Sequence, residues 1–294
     1  MPSSSTCDAD VVTAPATFRL AVLGDVHGNL PAFEATLADA ATLAPDLVAH
    51  AGDMVNGPCS AAVMDRVLAD GLPGVYGNHE DYVLRCADPD APSLWRTDRF
   101  DPARWTRGTL SPRHLGEIGR WPISRRIDVG TAGNVALVHG TTADLRGYFG
   151  PRTTDDEARA MYADIAAPVI VCGHTHVPHI RRMDGMLIVN VGATGVPADG
   201  DPRAAYALVE SREGAWHAKI RRVAYDTRAI LDAARRSGWL EHGGGIAATM
   251  LHDMLTGGGW MTPFVHWWEE TCPEARSADA YRCYARLRGI APLI

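Results

Sequence analysis

The chain predicts an α/β fold that gains antiparallel hairpins in its second half and finishes in helices. Three observations carry this expectation. Up to about residue 85, short apolar runs alternate with segments of helical periodicity, the pattern of βαβ units, in which chemistry gathers at the carboxyl ends of strands. Later, Asp184-Gly185 separates two strand-like runs in the manner of a two-residue hairpin turn. Beyond Tyr225 the apolar residues recur at helix spacing.

Taken in order, "FRLAVLGD" (18–25) is a buried strand ending in Gly-Asp. "NLPAFEATLADAA" is a helix with Asn29 as N-cap and Pro31 in its first turn. The pattern repeats as strand 46–53, helix 60–70, strand 73–78 and a helix from about His79 to Arg85, which together predict a largely parallel sheet. Residues 86–124 hold Pro and Trp and suggest loops and short helices. Strands "RRIDV" and "NVALVHG" follow, then a helix around "DDEARAMYADI" and a strand at 168–172. The hairpin "HIRRM-DG-MLIVNV" and the pair "RAAYALVE" and "WHAKIRRVAY" complete the strands. "DTRAILDAARRSGWL", "IAATMLHDML" and "ADAYRCYARLRGI" are the closing helices, broken by "HGGG" and "TGGGW".

Composition narrows the function classes. Hydrophobic residues make up 46% and charged residues 21%, which suits a globular protein with a sizeable core. Acidic residues outnumber basic ones 35 to 28 and Lys219 is the only lysine; a generic polyanion binder needs the reverse, so DNA and membrane surfaces are poor partners. Six scattered cysteines without CxxC spacing point to a reducing compartment, and Cys172 reads as a small buried hydrophobe. Residues 1–16 carry acids without an apolar core, so a disordered tail rather than a signal peptide is expected, with a cytoplasmic location.

Five short stretches place hard or imidazole ligands at strand ends: "GDVHGN" (Asp25, His27), "AGD" (Asp53), "GNHE" (Asn78, His79), "LVHG" (His139) and "GHTH" (His174, His176). Each alone is ordinary, since an Asp at a strand end is usually a turn former or cap and a lone His usually a hydrogen-bonded partner. Their ordered combination is not. In an extended chain His174 and His176 would share a face, which leaves open whether they hold one metal, two or none. Mixed carboxylate, amide and imidazole ligands suit Mn, Fe, Zn or Ni rather than Ca. Seven side chains exceed one tetrahedral ion and match two ions sharing a carboxylate, a pair ~3.5–4 Å apart that activates water and stabilises an in-line displacement at phosphorus.

These ordered motifs resemble the calcineurin-like metallophosphoesterases over roughly residues 18–238. The resemblance implies a two-sheet β-sandwich flanked by helices and two divalent transition metal ions, manganese first, with Fe, Zn, Ni or Mg as alternatives. It implies one metal on Asp25, His27, Asp53 and His176 and a second on Asp53, Asn78, His139 and His174, with Asp53 and a hydroxide bridging. It gives His79 the role of contacting phosphate and protonating the leaving group. Phosphoprotein phosphatases of the superfamily carry "GDxVDRG" where this chain has "GDMVNGP"; Asn56 and Gly57 occupy the places of an Asp that supports the catalytic His and an Arg that grips phosphate. "GDMVNGPCSAAVMDRV" and "NVGATGVPADGDPRAAYALVE" resemble instead the small prokaryotic phosphodiesterase-like branch, with Val191 in place of a usual Pro. Asn29, Asn78, His79, Asn190 and the Gly192 backbone are then expected beside the substrate, and Arg203 is expected to pair with Asp199 or Asp201.

The expected organisation is thus a tail (1–16), a metallophosphoesterase domain (17–238) and a helical extension (239–294) packed on it. The aromatics of "GGGWMTPFVHWWEE" are expected to pack on the sandwich; a substrate-selecting cap or a homo-oligomer contact is the sharper alternative. The expected function is metal-dependent hydrolysis of a small phosphoester. A phosphoprotein phosphatase, a catalytically silent scaffold and a nuclease are the rivals.

Overall fold

A computed structural model describes residues 17–294; the tail expected at 1–16 lies outside the described residues. β1 (Thr17–Leu23) pairs in parallel with β2 (Leu47–His50) after the crossover helix α1 (Leu30–Ala41). Asn29 caps α1 by accepting from Ala32 N at 3.2 Å, so the expected start of that helix holds. α2 (Ser60–Asp70) and α3 (Asn78–Arg85) follow. The expected strand at 73–78 is only a single bridge between His50 and Gly74. The chain there must deliver Gly77 against Asp53, where a Cβ would lie 2.2 Å from Asp53 Oδ1; that approach serves the site, not a ladder.

α4 (Asp101–Thr109) and α5 (Pro112–Ile118) lead to the antiparallel pair β3 (Ser124–Asp128) and β4 (Asn134–Val138). β5 (Val169–Cys172), reached through α6 (Asp155–Met161), lies parallel to β4. β6 (His179–Met183) and β7 (Met186–Asn190) form the expected hairpin, with Asp184 at φ 50° and Gly185 at φ 79° in its turn. β8 (Ala204–Arg212) and β9 (Ala215–Val223) are the second antiparallel pair.

The strands assemble into two sheets, β2-β1-β8-β9 and β3-β4-β5-β7-β6. Both are mixed, so the largely parallel sheet is corrected: β8 closes antiparallel on the free edge of β1, with Leu20 opposite Val209. The two-sheet sandwich flanked by helices is the observed architecture. Its middle is built by alternate residues from both sheets, including Leu20, Val22, Leu137, Val171, Val189 and Val209; this is the period-two burial of strands stacked face to face. Ala21 and Leu23 point the other way, onto Phe33, Val63 and Met64 of the helices. Ile170 and Ile188 meet Phe149 and Tyr162 on the outer face of the second sheet. Cys172 is buried there and its thiol is pushed up to about 12 by that burial, as an inert core residue.

The chain ends in α7 (Thr227–Arg236), α8 (Trp239–Thr256), α9 (Met261–Thr271) and α10 (Ser277–Leu287). "HGGG" interrupts the helical path as expected: Gly244 (φ 56°, ψ −143°) is non-helical and divides α8 into two helical segments. Phe264 stacks on Trp268 at 5.7 Å and Trp267 lies 5.4 Å from Tyr284. The aromatics therefore pack on one another in a cluster of this region's own, shared with Val196, Ile230 and Ala234, instead of spreading over the sandwich.

Candidate metal centre

Asp25 and Asp53 follow β1 and β2 of one sheet, while His139 and His174 follow β4 and β5 of the other. The sandwich thus brings four loops together at one edge. Asp25, His27, Asp53 and His176 present ligand atoms within 4.8 Å of one another, as do Asp53, His139 and His174. Asp53 belongs to both groups. Asn78 joins the second, its Oδ1 3.0 Å from His139 Nε2.

The backbone is strained at these residues. Asp25 (φ 51°), His27 (47°), Asp53 (54°), Asn56 (73°), His174 (71°) and His176 (59°) all take left-handed conformations, each costing on the order of 1–3 kcal/mol where the residue is not glycine. The expected extended geometry for His174 and His176 is corrected accordingly, because β5 ends at Cys172. The two rings reach different groups through a left-handed loop, not through strand alternation.

Buried hydrogen bonds hold that strain. Asp25 N donates to Gly52 O at 3.0 Å and His27 N to Asp53 O at 3.0 Å, while His174 N donates to the Asp25 carboxylate at 3.1 Å. Glu80, the last residue of "GNHE", does the most. Its Oε2 accepts from Asp53 N (2.8 Å) and Gly77 N (2.9 Å), and its Oε1 from Met54 N (2.8 Å) and Val55 N (3.3 Å). Sequence reasoning missed Glu80 because an acid in a helix's first turn has an ordinary explanation as a dipole partner; its complete burial is a tertiary fact.

The donor set fits cations. Asp53 Oδ1 accepts from His79 N at 2.8 Å, but Oδ2 is buried without a hydrogen-bond partner. Around Oδ2 stand His139 Nε2 at 3.2 Å, His27 Nε2 at 3.8 Å and His79 Nε2 at 4.0 Å. His139 Nδ1–H donates to Ala51 O at 2.7 Å, so in the neutral ring the Nε2 lone pair faces the oxygens of Asn78 and Asp53. His27 Nε2 and His176 Nε2 lie only 3.2 Å apart. Lone pairs converging in this way suit an ion between them.

Protons do part of that work in the metal-free chain. Burial acts to lower every imidazole here, and it pushes His27 well down and His174 to about 4. At His139 the Asp53 carboxylate overrules burial and raises the ring to about 10; at His176 the Asp25 carboxylate raises it likewise. Asp53 is held well below the carboxylate range, the His139 and His79 rings outweighing its own burial.

The calcineurin-like phosphoesterase superfamily domain matches residues 18–214. The chain belongs to that superfamily. A probable metallophosphoesterase of Methanothermobacter thermautotrophicus is 28% identical over 123 residues, 42% of this chain; the match spans 65% of that relative's length. The crystal structure of a metallophosphoesterase from Sphaerobacter thermophilus covers 82% of this chain and 99% of its own at 27% identity, with a TM-score of 0.65. A hypothetical protein of Pyrococcus horikoshii shares the fold at 17% identity and a TM-score of 0.68, over 82% and 99% of the two chains.

Within this calcineurin-like frame, three expected substrate contacts are corrected. Asn29 is buried, its Oδ1 capping α1 and its Nδ2 bonded to Gly195 O (2.8 Å) and the Tyr225 hydroxyl (3.2 Å). Asn190 Nδ2 contacts Gly173 O, Phe149 O and Thr175 Oγ1 at 2.8–2.9 Å, and its Oδ1 accepts from Gly192 N. Asn190 thus secures the "GHTH" loop and Asn29 ties the start of α1 to Gly195 and Tyr225, so the polar atoms of both are taken up within the protein. Gly192 is needed for its φ of 73° and for clearance, a Cβ there lying 2.9 Å from Pro178. Arg203 pairs with Asp201 at 2.6 Å, and Arg222 takes Asp199.

His79 faces open space. A cleft of about 510 Å³ is lined by Asp53, His79, His174 and His176 together with Arg152 and Asp253. Arg152 packs over the Tyr148 ring at 5.8 Å and, among the described residues, enters no ion pair. Nothing in its sequence setting marked it. Asn56 Nδ2 sits 2.6 Å from His79 Nδ1, while Asn56 Oδ1 is buried without a partner; a half-turn of the amide puts Oδ1 there to accept from Nδ1–H. The departure from the phosphoprotein-phosphatase motif at Asn56 thus keeps a support for His79 and makes it neutral. Burial lowers His79.

Proposed function

We propose that this superfamily member is a two-metal phosphodiesterase acting on small phosphoesters. The observation that carries the reading is the pair of ligand groups sharing Asp53 at the floor of a cleft that also presents His79 and Arg152. Asp25, His27, Asp53 and His176 would hold one ion, and Asp53, Asn78, His139 and His174 the other. When bound, the ions would supply activated water and neutralise charge at phosphorus, with manganese the first choice.

The chain's own residues do the rest. Arg152 offers a guanidinium fork to the phosphate oxygens. His79 Nε2, with Nδ1 held by Asn56, is placed to protonate the leaving oxygen. Burial lowers His79 and favours the neutral ring, and the negative charge of a bound phosphoester would draw its proton back. An unpaired cation beside that site favours an active enzyme over a silent scaffold.

A panel of mono- and diesters assayed with Mn, Fe, Ni, Zn and Mg, with metals counted in the purified protein, tests the reading. Diester turnover with two metals per chain is expected. Stoichiometric metal with no turnover on any phosphoester would leave the scaffold reading in its place.

A further inference from the structure

A second, smaller pocket adjoins the cleft at His79. It has a volume of about 210 Å³ and shares Asn56, Asn78, His79 and His174 with the metal-site wall. The rest of its lining comes from outside the motif loops. Tyr82 of α3, then Phe100 and Pro102 at the start of α4, form one side. Ile246 and Met250 of α8 with Met261 and Val265 of α9 form the other. Arg99, Thr262 and His266 supply polar groups, and Arg99 is engaged by Glu269 in an ion pair.

Three features fix what this pocket takes. Its volume is below the ~300–1,000 Å³ of a site that encloses a whole small ligand, so it receives one part of a substrate, of ring size. Its walls are aromatic and aliphatic, with Tyr82 edge-on to Phe100 at 5.0 Å, an environment for a flat apolar group. His79, the proposed general acid, lines both spaces together with His174, Met261 and Thr262, whereas Asp53 and His176 line only the larger cleft. A phosphate seated over the ligand groups would send its leaving oxygen past His79 into the small pocket. The other ester arm would lie in the larger cleft, along Arg152 and Thr175.

We infer that this pocket is a leaving-group subsite for an aromatic alcohol, so that the substrates are phosphodiesters of single-ring aryl alcohols selected by α8 and α9. The inference rests on the proposed hydrolysis for the direction of the leaving group. Cleavage breaks the bond between phosphorus and the ring-bearing oxygen, adds water across it and returns one proton to that oxygen from His79.

His266 is exposed on α9 and Arg99 is half-buried before α4, and both line the small pocket but not the larger cleft, so His266→Trp and Arg99→Trp can plug the pocket from its rim without filling the metal-site cleft. The probe is neutral 4-nitrophenol, titrated into the metal-free protein and followed by ligand-observed NMR; kcat/KM for bis(4-nitrophenyl) phosphate is measured in parallel on the metal-loaded protein. Binding in the parent and a loss of about tenfold or more in both readouts in the plugged variants is expected. No binding in the parent, or both variants leaving binding and kcat/KM unchanged, overturns the subsite even if diesters are hydrolysed. Blocked 4-nitrophenol binding without turnover of any phosphoester supports the pocket and removes the hydrolytic reading instead.

Discussion

Glu80→Gln tests how the site is held. The carboxylate accepts four backbone N–H groups, two on each oxygen. Glutamine keeps one oxygen and turns an NH2 toward the other two donors, so two buried N–H groups lose their acceptor and meet a donor. At ~1–3 kcal/mol for each buried donor left unsatisfied, the expected cost is ~2–6 kcal/mol, a large share of the ~5–15 kcal/mol that holds a typical domain. The loss falls on Asp53 N and Gly77 N or on Met54 N and Val55 N, according to which oxygen is replaced; either way it loosens the segment that carries the shared ligand. Burial and the Asp53 charge push Glu80 up to about 7, so the comparison belongs about one unit higher, where the carboxylate is ionised. Urea unfolding of the metal-free protein, with metals counted after reloading, reads both effects. A variant within about 0.5 kcal/mol of the parent, the scatter of ordinary surface substitutions, with full metal content would refute Glu80 as the brace.

Asp53→Asn is expected to cut bound metal from two ions per chain and to lower turnover by orders of magnitude; full metal content with near-normal turnover refutes the shared ligand. Because Asp53 holds His139 at about 10, metal binding near neutral pH must expel its proton. Calorimetry in buffers of different ionisation enthalpy should therefore show proton release, with apparent affinity rising with pH. In the metal-free protein that raised imidazole stabilises the fold fully below its ordinary 6.5 and loses the contribution as pH climbs through about 10; a stability flat over that window would contradict the pairing. Asn56→Asp should raise His79 by placing a charge on Nδ1 and move the alkaline limb of the rate profile upward, whereas an unmoved limb would separate Asn56 from the acid. Arg152→Ala should raise KM by about ten- to 150-fold, the ~1.5–3 kcal/mol of a charged hydrogen bond, and leave metal content unchanged, as substrate titration and metal analysis would show.

The ligand set was legible in the sequence because each residue follows a short apolar run and sits beside glycine, as in "GDVHGN" and "GHTH". Strand ends are local features, and the residue types themselves name the chemistry. Misreadings arose where a side chain had two uses. Asn29 and Asn190 hold the type of a substrate contact, yet their amides are taken up by Gly195 and Gly173. Glu80 looked like a helix-start acid and proved to be an acceptor for four donors from two other loops.

By itself the sequence determined most of the strands and helices and the list of candidate ligands, since period, turn residues and caps act over a few neighbours. The family resemblance already assigned His174 and His176 to different ligand groups; only tertiary structure decided how the backbone parts them. Their separation depends on left-handed backbone held by Asp25 and Asn190, not on the spacing of two letters. It also decided that α8 and α9, distant in sequence, wall a pocket beside His79. That proximity follows from burial of the apolar cluster around Met250, Phe264 and Tyr281, a non-directional force that chooses neighbours by packing and leaves no mark at any one position.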